Sequence, residues 1–279
     1  MEAISDDIVA TSIDEIWQFW FGDHDVYSDD YKYPLQRWFA ASWPIDVHLR
    51  QRFGHLHEAF LAAVLDGPGG RSRVDAMIHQ WKTIGARRQP ARGHMALVLL
   101  LDQMSRNIHR GTRHMFTTDP LALAVAVEVL DTPGLMESIS RPEKLVLSLC
   151  LTHAEDRQIT RRCVAIRKQW RSEIPETKQQ LISIFDLSLM QGIKHHEVID
   201  LFGRYPHRNQ LLGRETTPDE AAYLRDNQDV DFMRSVAPIE VPAAAQERID
   251  RYVGRLDSDS PRWIPLALLM EWQQECEAT

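Results

Sequence analysis

Two short stretches of this chain concentrate the side chains that bind anions or move protons. The first is Leu101-Asp102-Gln103-Met104-Ser105-Arg106-Asn107-Ile108-His109-Arg110. Asp102 precedes Arg106 by four residues, so on a helix an acid and a guanidinium share a face. Gln103 and Asn107 repeat that spacing alongside, and Arg110 extends the Arg106 line if the helix continues. The second stretch is Phe202-Gly203-Arg204-Tyr205-Pro206-His207-Arg208-Asn209, followed by Leu212-Gly213-Arg214. Its glycines permit turns that other residues resist, and Pro206 biases Tyr205 away from helix. Its three arginines, with His207, suit an anion, because each guanidinium offers a planar fork to carboxylate or phosphate oxygens. Each stretch also has a purely structural reading. Arg106 would then pair with Asp102 and cap carbonyls, and the later arginines would pair with Asp102, Glu155 or Asp200.

Between them lies Thr152-His153-Ala154-Glu155-Asp156. His153 and Glu155 are the types for a base with an orienting acid, or for metal ligands. On an unbroken helix, residues two apart diverge by roughly 200°, so the pair works only if the helix breaks there. His195-His196 has the same weakness. Metal sites on helices need pairs spaced as in HExxH or ExxH, and neither pattern occurs, so no metal and no cofactor are expected. A phosphate-binding loop, a dinucleotide glycine pattern and a GxSxG elbow are also absent. Gly67-Pro68-Gly69-Gly70 has no strand before it and reads as a loop.

These side chains must be carried by helices, because apolar residues recur at helical spacing along most of the chain. Ile13, Ile16, Trp17, Trp20 and Phe21 form one face, with Ser12 and Glu15 as an apparent capping box. Leu49, Phe53, Leu56, Phe60 and Val64 form another, in a helix that Pro44 opens. Val74, Met77, Ile78 and Trp81 make a third, with Ser72 as its cap. The stretch from Pro90 to about Arg106 is apolar on nearly all sides and predicts a central buried helix. Further helices are expected from Asp119-Pro120, from the Ser140/Glu143 capping box, through Ile159, Cys163, Ile166 and Trp170, and from Leu181 towards Phe202. The last two start at the Thr217/Glu220 capping box and around Ile249, Tyr252, Val253 and Leu256. Alternating strand patterns and Asn-Gly hairpins are missing. The expectation is an all-α chain of about ten helices, with loops at 22–35, 66–73, 83–90, 107–118, 131–141 and 203–216.

With 279 residues, 44% hydrophobic and 26% charged, the chain suits one large soluble domain with an appendage. The net charge of −8 comes from residues 215–279, which hold 6 basic and 14 acidic side chains. Residues 1–226 are expected to form the helical core and 227–279 an acidic helical tail, joined by a linker at 227–243. Trp263, Leu266, Leu269 and Met270 suggest that the tail packs on the core. Excess acid argues against nucleic-acid binding. No apolar run is long enough for a membrane span, and the N-terminus lacks a signal-peptide pattern, so a cytoplasmic protein is expected. Cys150, Cys163 and Cys276 form neither a disulfide framework nor a CxxC pair, and Cys150 reads as a core thiol.

Five separated motifs resemble one family: Trp17-Gln18-Phe19-Trp20-Phe21-Gly22, Trp38-Phe39, the run LLDQMSRNIHRGT at 100–112, His153-Ala154-Glu155-Asp156, and FGRYPHRNQLLGRETTPDE at 202–220. Together, over about residues 13–225, they are similar to the bacterial family catalogued as domain of unknown function nine hundred and twenty-four (DUF924). The resemblance implies an all-helical fold like the tetratricopeptide-repeat superfamily and brings no settled activity. This chain departs from the family pattern in having Met104-Ser105 where Phe-Pro is usual. Loss of that proline is expected to straighten the helix end before Arg106. The leading functional expectation is a pocket where the two stretches meet, binding a small anion through Arg106, Arg204 and Arg208, with Arg110 and Arg214 nearby and Asp102 as the paired acid. Gln103, Asn107 and Asn209 would orient the ligand, and His153 or His207, with Glu155, would act as acid or base. The rivals are a helical adaptor that binds a peptide near Trp17, Trp20, Trp38 and Trp43, and a subunit that supports a partner enzyme.

Overall fold

Ser5 starts the first helix by accepting from the Ile8 amide, at 3.4 Å, and α1 runs Asp6–Phe21. Ser12 lies inside this helix and is buried, so the capping box expected at Ser12 and Glu15 is not formed. Glu15 pairs instead with Arg52, at 2.9 Å. The structure is a computed structural model, and it describes residues 4–22, 25–28, 32–34, 42–227, 236–255 and 263–278. Trp38, Phe39 and Leu256 lie outside the described residues, as does part of the expected linker.

Ser42 and Pro44 open α2, Trp43–Leu65. A tight turn through Gly67–Gly70 leads directly into α3, Arg71–Ala86, which therefore starts before Ser72 and extends into a stretch read as loop. A β-carbon on Gly70 would stand 1.8 Å from the Ala63 carbonyl oxygen, which explains the glycine there. The central helix comes next. It begins as α4, Arg92–Val98, loosens into a π-helical segment over Leu99–Met104, and ends as α5, Ser105–Ile108. Every residue from Met95 to Leu101 is at most 1% exposed, as the all-round apolar stretch demands.

α6 (Asp119–Asp131) and the short α7 (Pro133–Met136) follow. The Ser140/Glu143 capping box then forms as expected and opens α8, Arg141–His153. α9 (Arg157–Ser172) and α10 (Gln179–Phe202) come next. Pro206–Arg208 makes a 3-10 turn, α11 covers Asn209–Leu212, and the Thr217/Glu220 box opens α12, Pro218–Asp226. Short helical turns thus occupy parts of 107–118, 131–141 and 203–216 that were read as loops. The described residues are all-α and contain no strand, and none of their helices is long and apolar enough to cross a membrane.

The central helix packs against α1, α2, α3, α6 and α8, while α9 and α10 pair with each other on α8. In the tail, α13 (Ala243–Val253) and α14 (Leu266–Glu277) bury Ala245, Ile249, Ile264 and Leu269 against Trp43. Trp263 stacks on Arg52, with the guanidinium carbon 4.4 Å from its ring, and His48 donates to the Ile264 carbonyl at 3.0 Å. Met270 stays exposed. Trp20 and Trp43 are core residues and Trp17 is partly buried beside Phe21 and under Arg92, so these three do not form an open groove.

α3 and α4 cross at bare backbone. A β-carbon on Gly93 would fall 2.2 Å from the Trp81 carbonyl oxygen, and one on Gly85 would fall 2.2 Å from the Gly93 nitrogen. Both obstacles are backbone, so a side chain there must spread the helices. Gly93→Ala is expected to cost about 1–3 kcal/mol in a urea denaturation series, as overpacked core sites do. Gly134→Ala, where a β-carbon meets nothing within 4 Å, is expected to be neutral or slightly stabilising.

Candidate functional site

The site forms where helices stop. The π-helical segment carries Asp102 and Gln103, and the widened turn leaves carbonyls for side chains to satisfy. The Leu101 carbonyl accepts from Thr118 Oγ1, at 2.6 Å. The Asp102 carbonyl accepts from Ser105 Oγ, at 2.9 Å, and from Arg106 Nη1. Ser105 also donates to the Met115 carbonyl, at 3.1 Å. Ser105, which with Met104 stands where Phe-Pro is usual in the family pattern, thus ties the helix end to the following turn through its hydroxyl. α8 ends at His153, and Ala154 is extended at φ −68° and ψ 133°. That break frees His153 and Glu155 from helical spacing, but they turn to different partners. Gly203, with φ 70°, ends α10 and turns the chain into the second arginine stretch.

Asp102 is fully buried. Both its oxygens lie 2.9 Å from His153 Nδ1, one lies 3.3 Å from Arg106 Nη1, and Gln103 also donates to it. Arg106 sends its other contacts, 3.0 Å each, to the two oxygens of Asp119. Arg208 Nη1 lies 3.6 Å from Asp119, a contact too long for a hydrogen bond, and donates to the His153 carbonyl at 3.1 Å. The two arginine stretches thus converge on Asp119, a residue that the sequence marks only as a helix start. The Arg208 guanidinium carbon lies 4.6 Å from the centre of the Phe116 ring and 4.5 Å from that of Tyr205.

The remaining candidates form separate networks. Asn107 donates to Asp46 at 2.8 Å, and Arg110 pairs with the same carboxylate at 2.6 Å, which fixes α5 to α2. Arg204 forks onto Glu220, at 2.6 and 2.8 Å, and donates to the Glu215 carbonyl. Asn209 donates to Thr216 and Glu220. Arg214 forks onto Glu155, at 2.6 and 3.0 Å, and Glu155 also accepts from the Tyr205 amide. Glu155 is therefore not a partner of His153, whose carboxylate is Asp102. The His207 ring lies 5.5 Å from the Tyr205 ring. The apparent surplus of arginine in the two stretches is balanced by acids not counted with them: Asp119, Glu220 and Asp46.

A cavity of about 470 Å³ opens beside this network. His153, Glu155 and Arg208 line it, with Asp119. Phe116, Pro120, Leu123, Cys150 and Leu212 supply apolar wall, and Arg113, Thr117 and Asp156 complete the lining. Arg208 has two nitrogens, Nε and Nη2, that make no hydrogen bond among the described residues, and its side chain is 7% exposed. Arg167 is another residue that spacing alone did not single out. It sits on the apolar face of α9 between Cys163 and Trp170, is 1% exposed, and bonds Ser148 Oγ at 2.9 Å and the Ser188 carbonyl at 2.7 Å. A charge on an apolar stripe is the signal that would have found it.

The electrostatics follow from burial. Burial pushes Asp102 up, but Arg106, His153 and Gln103 outweigh it and hold Asp102 well below the ordinary carboxylate range. Burial, helped by the Arg106 charge, lowers His153 to about 4. At neutral pH the pair is therefore a carboxylate and a neutral imidazole. The carboxylate accepts the Nδ1 proton, which leaves Nε2 as the lone-pair nitrogen. Burial raises Asp119 to about 6 against the pull of Arg106 and Arg208. Arg106, despite burial, is held above its ordinary value by Asp102 and Asp119, so this fork is ionised at neutral pH. Burial raises the Cys150 thiol well above its ordinary value, so it is not an activated nucleophile. No group of three His, Cys, Asp or Glu side chains among the described residues is arranged to hold a metal ion.

Burial also depresses seven other histidines: His57 to about 3, His109 to about 4, His195 to about 3 and His207 to about 2, with His48, His55 and His94 lowered as well. Thr118 Oγ1 gives its proton to Leu101, so it accepts from His57 Nε2 at 2.9 Å, and His57 Nδ1 then accepts from His109 at 2.9 Å. With His153, eight histidines bind protons in the unfolded chain, below about 6.5, before they do so in the folded one. Stability is therefore expected to fall as pH drops below about 6.5, until the lower folded values are passed. Asp119 and Glu143, both raised by burial to about 6, act oppositely by taking protons on folding, but they are two groups against eight. Melting temperatures between pH 7.5 and 4.5 test the sign, and a rise on acidification would contradict it. Asp102→Asn removes the buried negative charge that faces Arg106 and His153, leaving Arg106 with Asp119 as its one carboxylate and His153 with a neutral acceptor. It is expected to cost about 3–5 kcal/mol in chemical denaturation, as removal of one member of a buried ion pair does.

With the site described, comparison places the chain among known proteins. A family described as bacterial protein of unknown function (DUF924) matches residues 16–228. A solved structure of a protein of unknown function from Agrobacterium tumefaciens is similar at 28% identity and a TM-score of 0.57, covering 80% of this chain and 100% of that one. No curated protein matches. The family match spans both arginine stretches and the His153 segment between them, and the chain belongs to the bacterial DUF924 family.

Proposed function

We propose that this protein binds a small anionic molecule in the cavity beside Arg208. The observation that carries this reading is the unsatisfied guanidinium. Arg208 is buried beside two aromatic rings, makes one hydrogen bond through Nη1, and has no hydrogen-bonded carboxylate of its own. A buried cation in this condition is costly unless another acceptor completes it. The cavity that it lines falls within the size range of small-molecule sites, roughly 300–1,000 Å³. Of the anion-binding residues expected from the sequence, Arg106 supports the site through Asp119, and Arg204 belongs to the neighbouring Glu220 network. If the bound molecule also reacts, His153 is the base, with Nε2 free to accept a proton and Asp102 holding the ring.

A second reading, a protein-binding adaptor, has one observation in its favour. Leu187, Met190, Ile193 and Leu201 are exposed along α10 at spacings that keep them near one face. Charged substitutions at Leu187 and Met190 would abolish partner binding under that reading and leave anion binding intact.

The test is thermal unfolding against graded phosphate, sulfate and simple carboxylates. At least one class is expected to raise the melting temperature in step with the logarithm of its concentration. In Arg208→Gln that increment should disappear, with affinity reduced at least about tenfold, as loss of a charged hydrogen bond implies. A flat response of the native protein to all three classes would remove the anion reading.

A further inference from the structure

The cavity presents an acceptor-seeking guanidinium nitrogen and a hydrocarbon wall side by side. The Phe116 and Tyr205 rings lie 4.6 and 4.5 Å from the Arg208 guanidinium carbon and take up part of its surroundings. Nη1 is engaged by the His153 carbonyl and Nε is enclosed, which leaves Nη2 as the nitrogen that can meet a ligand. Nη2 can donate to a carboxylate oxygen. Next to it Pro120, Leu123 and Leu212 offer no polar side chain, and Cys150 is held as a neutral thiol.

Arg167 and Arg208 are buried cations, and Arg106 lies between Asp102, which is buried, and Asp119, which is partly exposed. His153, His195 and His207 are neutral at neutral pH. Arg167 has no carboxylate partner among the described residues, but it does not line the cavity. At the cavity Arg208 stands 3.6 Å from Asp119. A phosphate group brings about −1.5 to −2, and its second charge would meet Asp119. Arg113, Glu155 and Asp156 are all on the exposed side of the cavity, where water screens them.

We infer that the ligand is a small monocarboxylate with a hydrocarbon body, its carboxylate on Nη2 of Arg208 and its apolar part against Phe116, Pro120, Leu123 and Leu212. The inference rests on the anion-binding reading of the same cavity. It differs in what it requires, because a hydrocarbon body must add affinity and a second negative charge must not.

Isothermal titration of the full chain with acetate, butyrate, hexanoate, benzoate, inorganic phosphate and hexanamide tests it. From acetate to butyrate two methylenes are buried, and affinity is expected to rise by about tenfold or more. Hexanoate should exceed hexanamide by at least about tenfold, because the amide lacks the charge that Arg208 takes up. Arg208→Gln should abolish carboxylate binding. Leu212→Gln, on the cavity wall, should flatten the chain-length series. Should phosphate bind and the carboxylates not, or should affinity be independent of chain length, the monocarboxylate inference falls and the anion site stands. Should nothing bind, or should binding survive Arg208→Gln, both fall. If Arg208→Gln does not fold, the Leu212→Gln series decides, and an unchanged slope overturns the inference.

Discussion

The shared carboxylate of Asp119 is the contact on which the rest of the site depends. It accepts both arms of Arg106 and stands 3.6 Å from Arg208. Its position at the first turn of α6, followed by Pro120, is set by helix initiation. Through Arg106 it fixes the end of the central helix, and through Arg208 it draws in the segment after α10. An anion at a helix start is also favoured by the helix dipole. One residue therefore serves local folding, joins two distant arginine stretches and borders the cavity.

The geometry is produced by departures from regular helix. A straight α-helix through Leu99–Met104 would satisfy its own carbonyls. The π-helical turn instead leaves the Leu101 and Asp102 carbonyls to Thr118, Ser105 and Arg106. The extended Ala154 separates His153 from Glu155 and lets each find its own ion. Glycines in the left-handed region at 203 and 213 bend the second stretch so that Arg204 and Arg214 face neighbouring acids while Arg208 turns inward. Three interruptions in three helical segments thus build one site.

Neutral histidines complete this arrangement. His153, His195 and His207 surround Tyr205 and Arg208, and burial with the nearby guanidinium charges keeps all three unprotonated at neutral pH. Had they been charged, the interior would hold a dense cationic cluster with two carboxylates to balance it. As it stands, Arg167 and Arg208 are the buried cations there without a hydrogen-bonded carboxylate. The same histidines make the fold acid-sensitive, so the electrostatics of the site and the pH dependence of stability have a common origin.

Much of this was legible in the sequence because it is local. Helical periodicity gave the all-α class, the Ser140/Glu143 and Thr217/Glu220 boxes gave two helix starts, and the all-round apolar run gave the buried central helix. The five motifs, from Trp17 to Glu220, all lie within the residues 16–228 that the DUF924 match spans. Spacing also singled out Asp102, Arg106, His153 and Arg208, since polar side chains beside a buried helix need partners. It paired Arg106 with Asp102 and Glu155 with an arginine of the second stretch, as the structure does, but missed their other partners. Pairing between residues far apart in the chain depends on where helices stop, and the energies that decide a π turn or an extended Ala154 are small and set by packing. Asp119 looked like a helix start, Ser12 like a cap, and Glu155 like the mate of His153. Only the tertiary structure decided that Asp119 joins the two stretches, that Asn107 and Arg110 serve Asp46 instead of the cavity, and that Arg167 lies buried without an acid. The physical reason is that side-chain type follows from sequence, whereas burial and counter-charge are properties of the folded neighbourhood.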